Sequence, residues 1–344
     1  MMFTIYSEKE IFENITIYDD KYPNWHKILC GHSQICLNLT DKELEDEEIP
    51  GTVIFEFINA LGGKRPIALK DYFNNIYEDN SLIIDKPRSV FFLNYPKTIT
   101  DTLQKDIGVI VQSSDEIDDN ILYGTFYREL PKDFVVENGT NIGWKELLNF
   151  PLTPSNSIVI SDDYLFKNEE FGKNVGICNL IALLDSILPE TINVEYQILI
   201  ITQDHNKSQK WCEKFAGDLK ATLVRLRKYK ISVEIVFSES IHKRKVILNY
   251  LSLICDKGFA VFRVNDLKTV RSENDFRIEK FFNRMALNEG DSEYKSSEIN
   301  LIQIKKICES TKQFINNSKS DINKRILGDC KKDKSINNRL LNDV

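Results

Sequence analysis

The chain has 344 residues, 42% of them hydrophobic and 10% aromatic, and carries a formal charge of −7. At about 150 residues per domain this leaves room for two folded units with substantial cores. The acidic balance excludes a uniformly basic nucleic-acid-binding coat, though not a local basic face.

No run approaches the ~18 consecutive apolar residues a membrane helix needs. The opening, Met1 to Glu10, has neither the basic start nor the apolar core of a secretory signal. The expectation is a cytoplasmic protein without a transmembrane segment. Seven cysteines, an odd count with no C-x-x-C, argue against a disulfide framework or a zinc ribbon. His26, Cys30, His32 and Cys36 lie close together, but no second ligand pair follows at zinc-site spacing. They read as packing residues, and neither metal nor cofactor is expected.

In chain order, residues 1–145 read as an α/β domain of unassigned type. Ile35–Leu39 and Ser89–Asn94 are strand-like, and the acidic run Asp41–Glu48 between them suits a solvated segment. Thr52–Leu61 has helical spacing and stops at Gly62-Gly63. Thr98–Lys105 predicts a short helix and Gly108–Gln112 a buried strand. No phosphate loop or dinucleotide fingerprint occurs here. Gly, Pro, Ser and Asn gather at Asn138-Gly139 and from Pro151 to Asn156, which suggests a boundary.

After that boundary the rhythm is regular. Ser157–Ser161, Tyr196–Ile201 and Val233–Phe237 are short apolar strands. Helical stretches at Asn174–Leu188, closed by Pro189, and at Lys207–Tyr229 separate them. Val246–Asn249 and Phe259–Phe262 read as two further strands joined by a turn at Asp256-Lys257-Gly258. Strands alternating with helices predict a layered α/β domain around a largely parallel sheet. Phe276–Met285 and Ile302–Phe314 are expected to be C-terminal helices, and the polar stretch from Ser318 a loosely ordered tail. The resulting division is 1–145, 150–317 and 318–344.

One segment carries recognisable chemistry. His242, Lys243, Arg244 and Lys245 directly follow an apolar strand. In extended backbone, His242 and Arg244 share one side and Lys243 and Lys245 the other. A histidine beside a fixed cation can seat a phosphate diester, the cation neutralising oxygens and a neutral imidazole attacking phosphorus or moving a proton. Lys228 and Lys230, at the basic end of the preceding helix, would extend a phosphate-attracting face if they lie beside His242. The plainer readings are a solvated corner for the first group and helix-dipole compensation for the second.

The spacing His242-x-Arg244, four residues, then Asn249 resembles the His-x-Lys-x4-Asp motif of the phospholipase D superfamily. The strand–helix order before it is similar too, over about a third of the chain. The resemblance implies a phospholipase D-like domain in which two motif copies meet across a pseudo-twofold axis, one histidine forming a phosphohistidine and the other acting as general acid, without metal. This chain has one copy, with Arg for Lys and Asn for Asp, so a complete site would require a homodimer. Arg244 preserves the charge, whereas Asn249 lacks the anion expected to orient a histidine; Glu234 or Glu239 could replace it.

Two functions therefore stand open. One is a degenerate domain binding a phosphate-containing ligand, nucleic acid foremost, or a protein partner, in the manner of a bacterial nucleic-acid-processing or defence system. The other is a metal-independent homodimeric phosphodiesterase, a nuclease using His242.

Overall fold

The computed structural model describes residues 2–133, 142–239, 244–318 and 325–344. Two sheets, each with its own helical layers, organise an α/β chain.

The first sheet is built from short aromatic and β-branched runs buried on both faces, which suits all-parallel strands. Its elements run β1 (Phe3–Ser7), α1 (Lys9–Ile17), α2 (Pro23–His32), β2 (Ser33–Leu37), α3 (Asp41–Asp46), α4 (Val53–Asn59), β3 (Ile67–Ala68), α5 (Lys70–Glu78), β4 (Val90–Leu93), α6 (Lys97–Ile107) and β5 (Ile110–Ser113). The spatial order is β3-β2-β1-β4-β5, so the chain runs outward from β1 to β3 and then crosses back to β4 on the other side of β1. The acidic run expected to be a solvated segment forms α3, fixed by a capping box between Thr40 and Glu43. Gly108 ends α6 at φ 69°. A Cβ there would stand 2.4 Å from the Ser155 carbonyl oxygen, so a glycine is needed where the two lobes touch.

The second lobe contains β6 (Thr125–Leu130), α7 (Trp144–Leu147), β7 (Ser157–Ser161), the small hairpin β8 (Glu169–Glu170) and β9 (Lys173–Asn174), α8 (Val175–Ile187), β10 (Tyr196–Thr202), α9 (Gln209–Leu226) and β11 (Ile231–Phe237). It continues with β12 (Lys245–Leu248), β13 (Leu251–Cys255), β14 (Asn274–Lys280), α10 (Arg284–Glu289), α11 (Glu293–Asn317), β15 (Ile326–Gly328) and α12 (Arg339–Asn342). The eight strands lie in the order β15-β11-β10-β7-β12-β13-β14-β6. Only β7, β10 and β11 run parallel; the flanking strands are antiparallel. The sheet is therefore mixed rather than largely parallel. One face packs on α8 and α9 through residues such as Leu180, Leu219 and Val246; the other packs on α11 and α12 through Ile247, Leu301 and Leu340.

Several boundaries differ from the sequence reading. Strand β6 lies before residue 145 yet pairs with β14, so the second lobe begins well upstream of the expected boundary. The hairpin of β12 and β13 turns at Asn249-Tyr250, not at Asp256, because the apolar run continues through Leu251–Cys255. Phe259–Phe262 forms no strand, only an isolated bridge from Phe262 to Val270. Where a helix was expected from Phe276, β14 alternates buried Phe276 and Ile278 with exposed Arg277.

The final segment is not a loose tail over its described residues. β15 adds to the edge of β11, and Leu340 and Leu341 enter the core. Asn338 donates to the carbonyls of Ile158 (3.3 Å) and Gln197 (3.4 Å).

The lobes interlock at the Asn249-Tyr250 turn. The Tyr250 hydroxyl accepts from the Ile110 amide at 2.9 Å and donates to the Ser89 carbonyl at 2.5 Å. Asn249 Nδ2 donates to the Gly108 carbonyl at 2.8 Å, and Asn156 Nδ2 to the Ile107 carbonyl at 2.9 Å. Arg88, 2% exposed, donates to the Tyr294 carbonyl and Ser297 Oγ, both at 3.0 Å, with its guanidinium over the rings of Phe281 and Tyr294. Tyr250, Phe281, Phe282 and Tyr294 of the second lobe belong to the same apolar cluster as Phe3 and Phe91 of the first.

The C-terminal segment introduces a pH dependence. Glu234 on β11 is 3% exposed and, among the described residues, accepts only main-chain donation from Asn337, at 3.0 Å to each oxygen. Burial pushes its carboxyl up to about 7 from 4.5. Since the folded state holds this proton more tightly than the unfolded chain, its contribution is full below pH ~4.5 and is lost as pH rises through ~7, about 3 kcal/mol in all. Denaturant midpoints measured from pH 4.5 to 8 are expected to show this fall in the native chain and to lose most of it in Glu234→Gln.

Candidate functional site

Because β12 runs antiparallel to β7, its amino end lies beside the carboxyl ends of β7 and β10, with Lys245 opposite Ser161. This edge collects side chains from loops that are distant in sequence. Asp162, 1% exposed, accepts from the amides of Phe259 (2.7 Å) and Tyr164 (2.9 Å) and so fixes both loops. Burial pushes its carboxyl above the ordinary range, an effect that the two amide donors and, less, the Arg244 charge offset only in part. The turn it holds passes through Gly258 at φ +87°, where a Cβ would stand 2.9 Å from the Asp162 carboxylate.

Tyr164 is the centre of the arrangement. The Arg244 guanidinium lies 4.6 Å from its ring centroid and the Lys167 ammonium 4.7 Å. The His205 ring lies near-parallel to it, at 6.3 Å and 16°. His205 donates from Nε2 to the Asp163 carbonyl at 2.6 Å. His205 and Asn206 have φ of 45° and 62°, uncommon for non-glycine residues; Asp204 holds this turn by accepting from the Asn206 amide at 3.0 Å.

Arg244 is half-buried. One terminal nitrogen donates to the Asp256 carbonyl, while Nε is buried without a partner. An unmatched guanidinium N–H is costly unless something accepts from it. Beside it opens a cleft of about 310 Å³ whose lining includes Arg244, Lys245, Asp256, Ser296 and Asn300.

The other expected site residues are dispersed. Lys245 is 5% exposed, ion-paired with Glu293 and 3.3 Å from Ser296 Oγ; Glu293 also accepts from Ser252 Oγ at 2.7 Å. Its charge is already neutralised on the α11 side of the sheet, which corrects its reading as a phosphate ligand. Asn249 sits at the opposite end of β12, fully buried in the lobe junction, and does not join Arg244. Lys228 and Lys230 precede the start of β11, at the far edge of the sheet, and Lys230 pairs there with Glu195 at 3.1 Å. They do not extend the Arg244 face. Glu234 points to the C-terminal segment, so it cannot replace the missing motif carboxylate, and Glu239 is exposed. His242 and Lys243 lie outside the described residues.

Sequence reading missed Asp162, Tyr164, Lys167 and His205. Their meeting depends on loop packing that no local pattern encodes. Among the described residues no group of three His, Cys, Asp or Glu side chains is placed to hold a metal ion, and no helix is long and apolar enough to cross a membrane.

No protein-family model and no curated protein matches this chain. Among solved structures it has a likeness to TrmBL2, described as an archaeal chromatin protein showing a novel mode of DNA binding, at 10% identity and a TM-score of 0.21. The alignment covers 70% of this chain and 65% of that one, less than two thirds of its length. A superposition this loose carries no argument about fold or function.

The position of Asn249 makes a restored motif testable. In Asn249→Asp, a carboxylate would replace the amide that donates to the Gly108 carbonyl and would also lie close to Asn156 Oδ1, 3.4 Å from the present Nδ2. The substitution is expected to cost about 1–3 kcal/mol in denaturant unfolding and to create no phosphodiesterase activity.

Proposed function

We propose that the edge of the second sheet around Arg244 binds a phosphate-bearing ligand, nucleic acid foremost, and holds it without cleaving it, as a degenerate phospholipase D-like domain would. The observation that carries this reading is the Arg244 guanidinium, braced on the Tyr164 ring and the Asp256 carbonyl with a buried Nε that has no partner, beside an open cleft. A phosphate in the cleft would meet the guanidinium charge, and Lys167 on the same ring would add a second positive charge.

Binding is favoured over turnover because the residue at the motif's carboxylate position is committed to the lobe junction and neither weighed substitute takes its place. A histidine without its orienting carboxylate loses orders of magnitude in rate, about 10⁴-fold when the aspartate of a serine-protease triad is replaced by asparagine. A place in a bacterial nucleic-acid-processing or defence system belongs to the same proposal; the competing reading is a metal-independent homodimeric nuclease using His242.

Fluorescence anisotropy with single- and double-stranded oligonucleotides in EDTA tests the reading. The native chain is expected to bind with an affinity that falls steeply with salt, Arg244→Ala to bind about tenfold more weakly, and neither to cleave. Cleavage in EDTA that disappears in His242→Ala would overturn the binding reading, as would unchanged affinity in Arg244→Ala.

A further inference from the structure

The first lobe carries a polar side-chain network that the second lobe's site does not use. In its sheet the connections leave β1 toward β2 on one side and reach β4 from the other, so the gap between the carboxyl ends of β1 and β4 is a topological switch point. In open parallel sheets this gap is where ligands bind. Glu8 follows β1 and Asn94 follows β4, placing both at that gap, with Asn38 after β2 and Ser114 after β5.

These side chains form one network. The Asn94 amide donates to Glu8 Oε1 at 3.1 Å and to the Tyr77 hydroxyl at 3.2 Å. Asn38 Nδ2 donates to Glu8 Oε2 at 3.4 Å, its amide oriented by the Lys9 N–H, which donates to Asn38 Oδ1 at 2.7 Å. Ser114 Oγ donates to Asn94 Oδ1 at 3.3 Å. Tyr77, 38% exposed, meets Tyr95 edge-on at 5.0 Å.

Glu8 is half-buried, and burial raises its carboxyl above the ordinary range. Among the described residues no cation pairs with it; the adjacent Lys9 is held by Glu13 and Glu47. A carboxylate accepts about four hydrogen bonds, and among the described residues the two oxygens have one donor each, leaving an open acceptor position on both. A phosphate is not what this gap fits. The first amide of α6 already donates to the Asp115 carboxylate at 3.3 Å, and the surrounding groups are carboxylate, carboxamide, hydroxyl and phenol.

We infer that this gap binds a neutral cis-diol, the ribose of a nucleoside or a free pentose, with the two hydroxyls donating to the two oxygens of Glu8 and the flat part of the ligand against Tyr77. A vicinal diol presents two O–H donors at the separation of the carboxylate oxygens, which is how an acidic residue recognises ribose in doubly wound folds generally. The exposed Tyr77 ring supplies an apolar face beside the polar floor.

Isothermal titration of the full chain with adenosine, 2′-deoxyadenosine and ribose tests this. Adenosine is expected to bind saturably and 2′-deoxyadenosine about tenfold more weakly, since one charge-assisted hydrogen bond is lost. Glu8→Gln is expected to weaken adenosine about tenfold and the deoxynucleoside less, narrowing the gap between them, a pattern that misfolding would not produce. Ribose binding as tightly as adenosine identifies the free sugar as the ligand; tighter adenosine identifies the nucleoside. Equal binding of adenosine and 2′-deoxyadenosine, no binding of either adenosine or ribose, or adenosine affinity unchanged in Glu8→Gln overturns the inference. If Glu8→Gln does not fold, the comparison of the two nucleosides on the native chain decides. The result is independent of the second lobe, where Arg244→Ala is the probe.

Discussion

Most of the chain's architecture follows from one buried contact: a two-residue turn of the second lobe, Asn249-Tyr250, inserted between strands of the first. Tyr250 bridges the start of β5 and the segment before β4, and Asn249 ties down the end of α6. Both side chains are fully buried, so every polar atom they engage would be stranded if the lobes parted. Around the turn the apolar residues of both lobes merge in one cluster, with Phe3 edge-on to Phe281 and Phe282. Such an interface is closer to a domain interior than to a hinge, and the lobes are expected to hold a fixed mutual orientation.

The same turn assigns the ends of β12 to different tasks. Six positions, from Arg244 to Asn249, span roughly 16 Å of extended chain. At one end Arg244 faces Tyr164 and a cleft; at the other, Asn249 is sealed into the junction. Between them, Lys245 is neutralised against Glu293, which anchors the first turn of α11 to the sheet. A segment that reads as a single run of site residues thus divides into one ligand-facing cation, one buried ion pair and one lobe-joining amide.

What was legible in the sequence was the local chemistry of regular elements. The strand of Val233–Phe237 and the helix ending at Pro189 were readable because apolar spacing and helix-breaking residues are local signals. β14 misled because Phe276 to Met285 contains apolar residues that suit either period, and only pairing with β13 and β6 selects the strand. The tail misled because its polar residues make specific contacts, as with Asn338 capping α12 and bonding two strand carbonyls. Arg244 was identifiable from its place after a strand. Tyr164, Lys167 and His205 were not, since they converge through a stacking contact between separate loops.

Calorimetric unfolding of the native chain beside Tyr250→Phe tests the interlock most directly. The substitution removes one hydroxyl, leaving the Ile110 N–H and the Ser89 carbonyl without that partner while preserving the ring. The lobe-joining role predicts one transition for the native chain and a midpoint several degrees lower in the variant, matching a loss of about 1–3 kcal/mol. Two separate transitions in the native chain, or an unchanged midpoint in Tyr250→Phe, would contradict it.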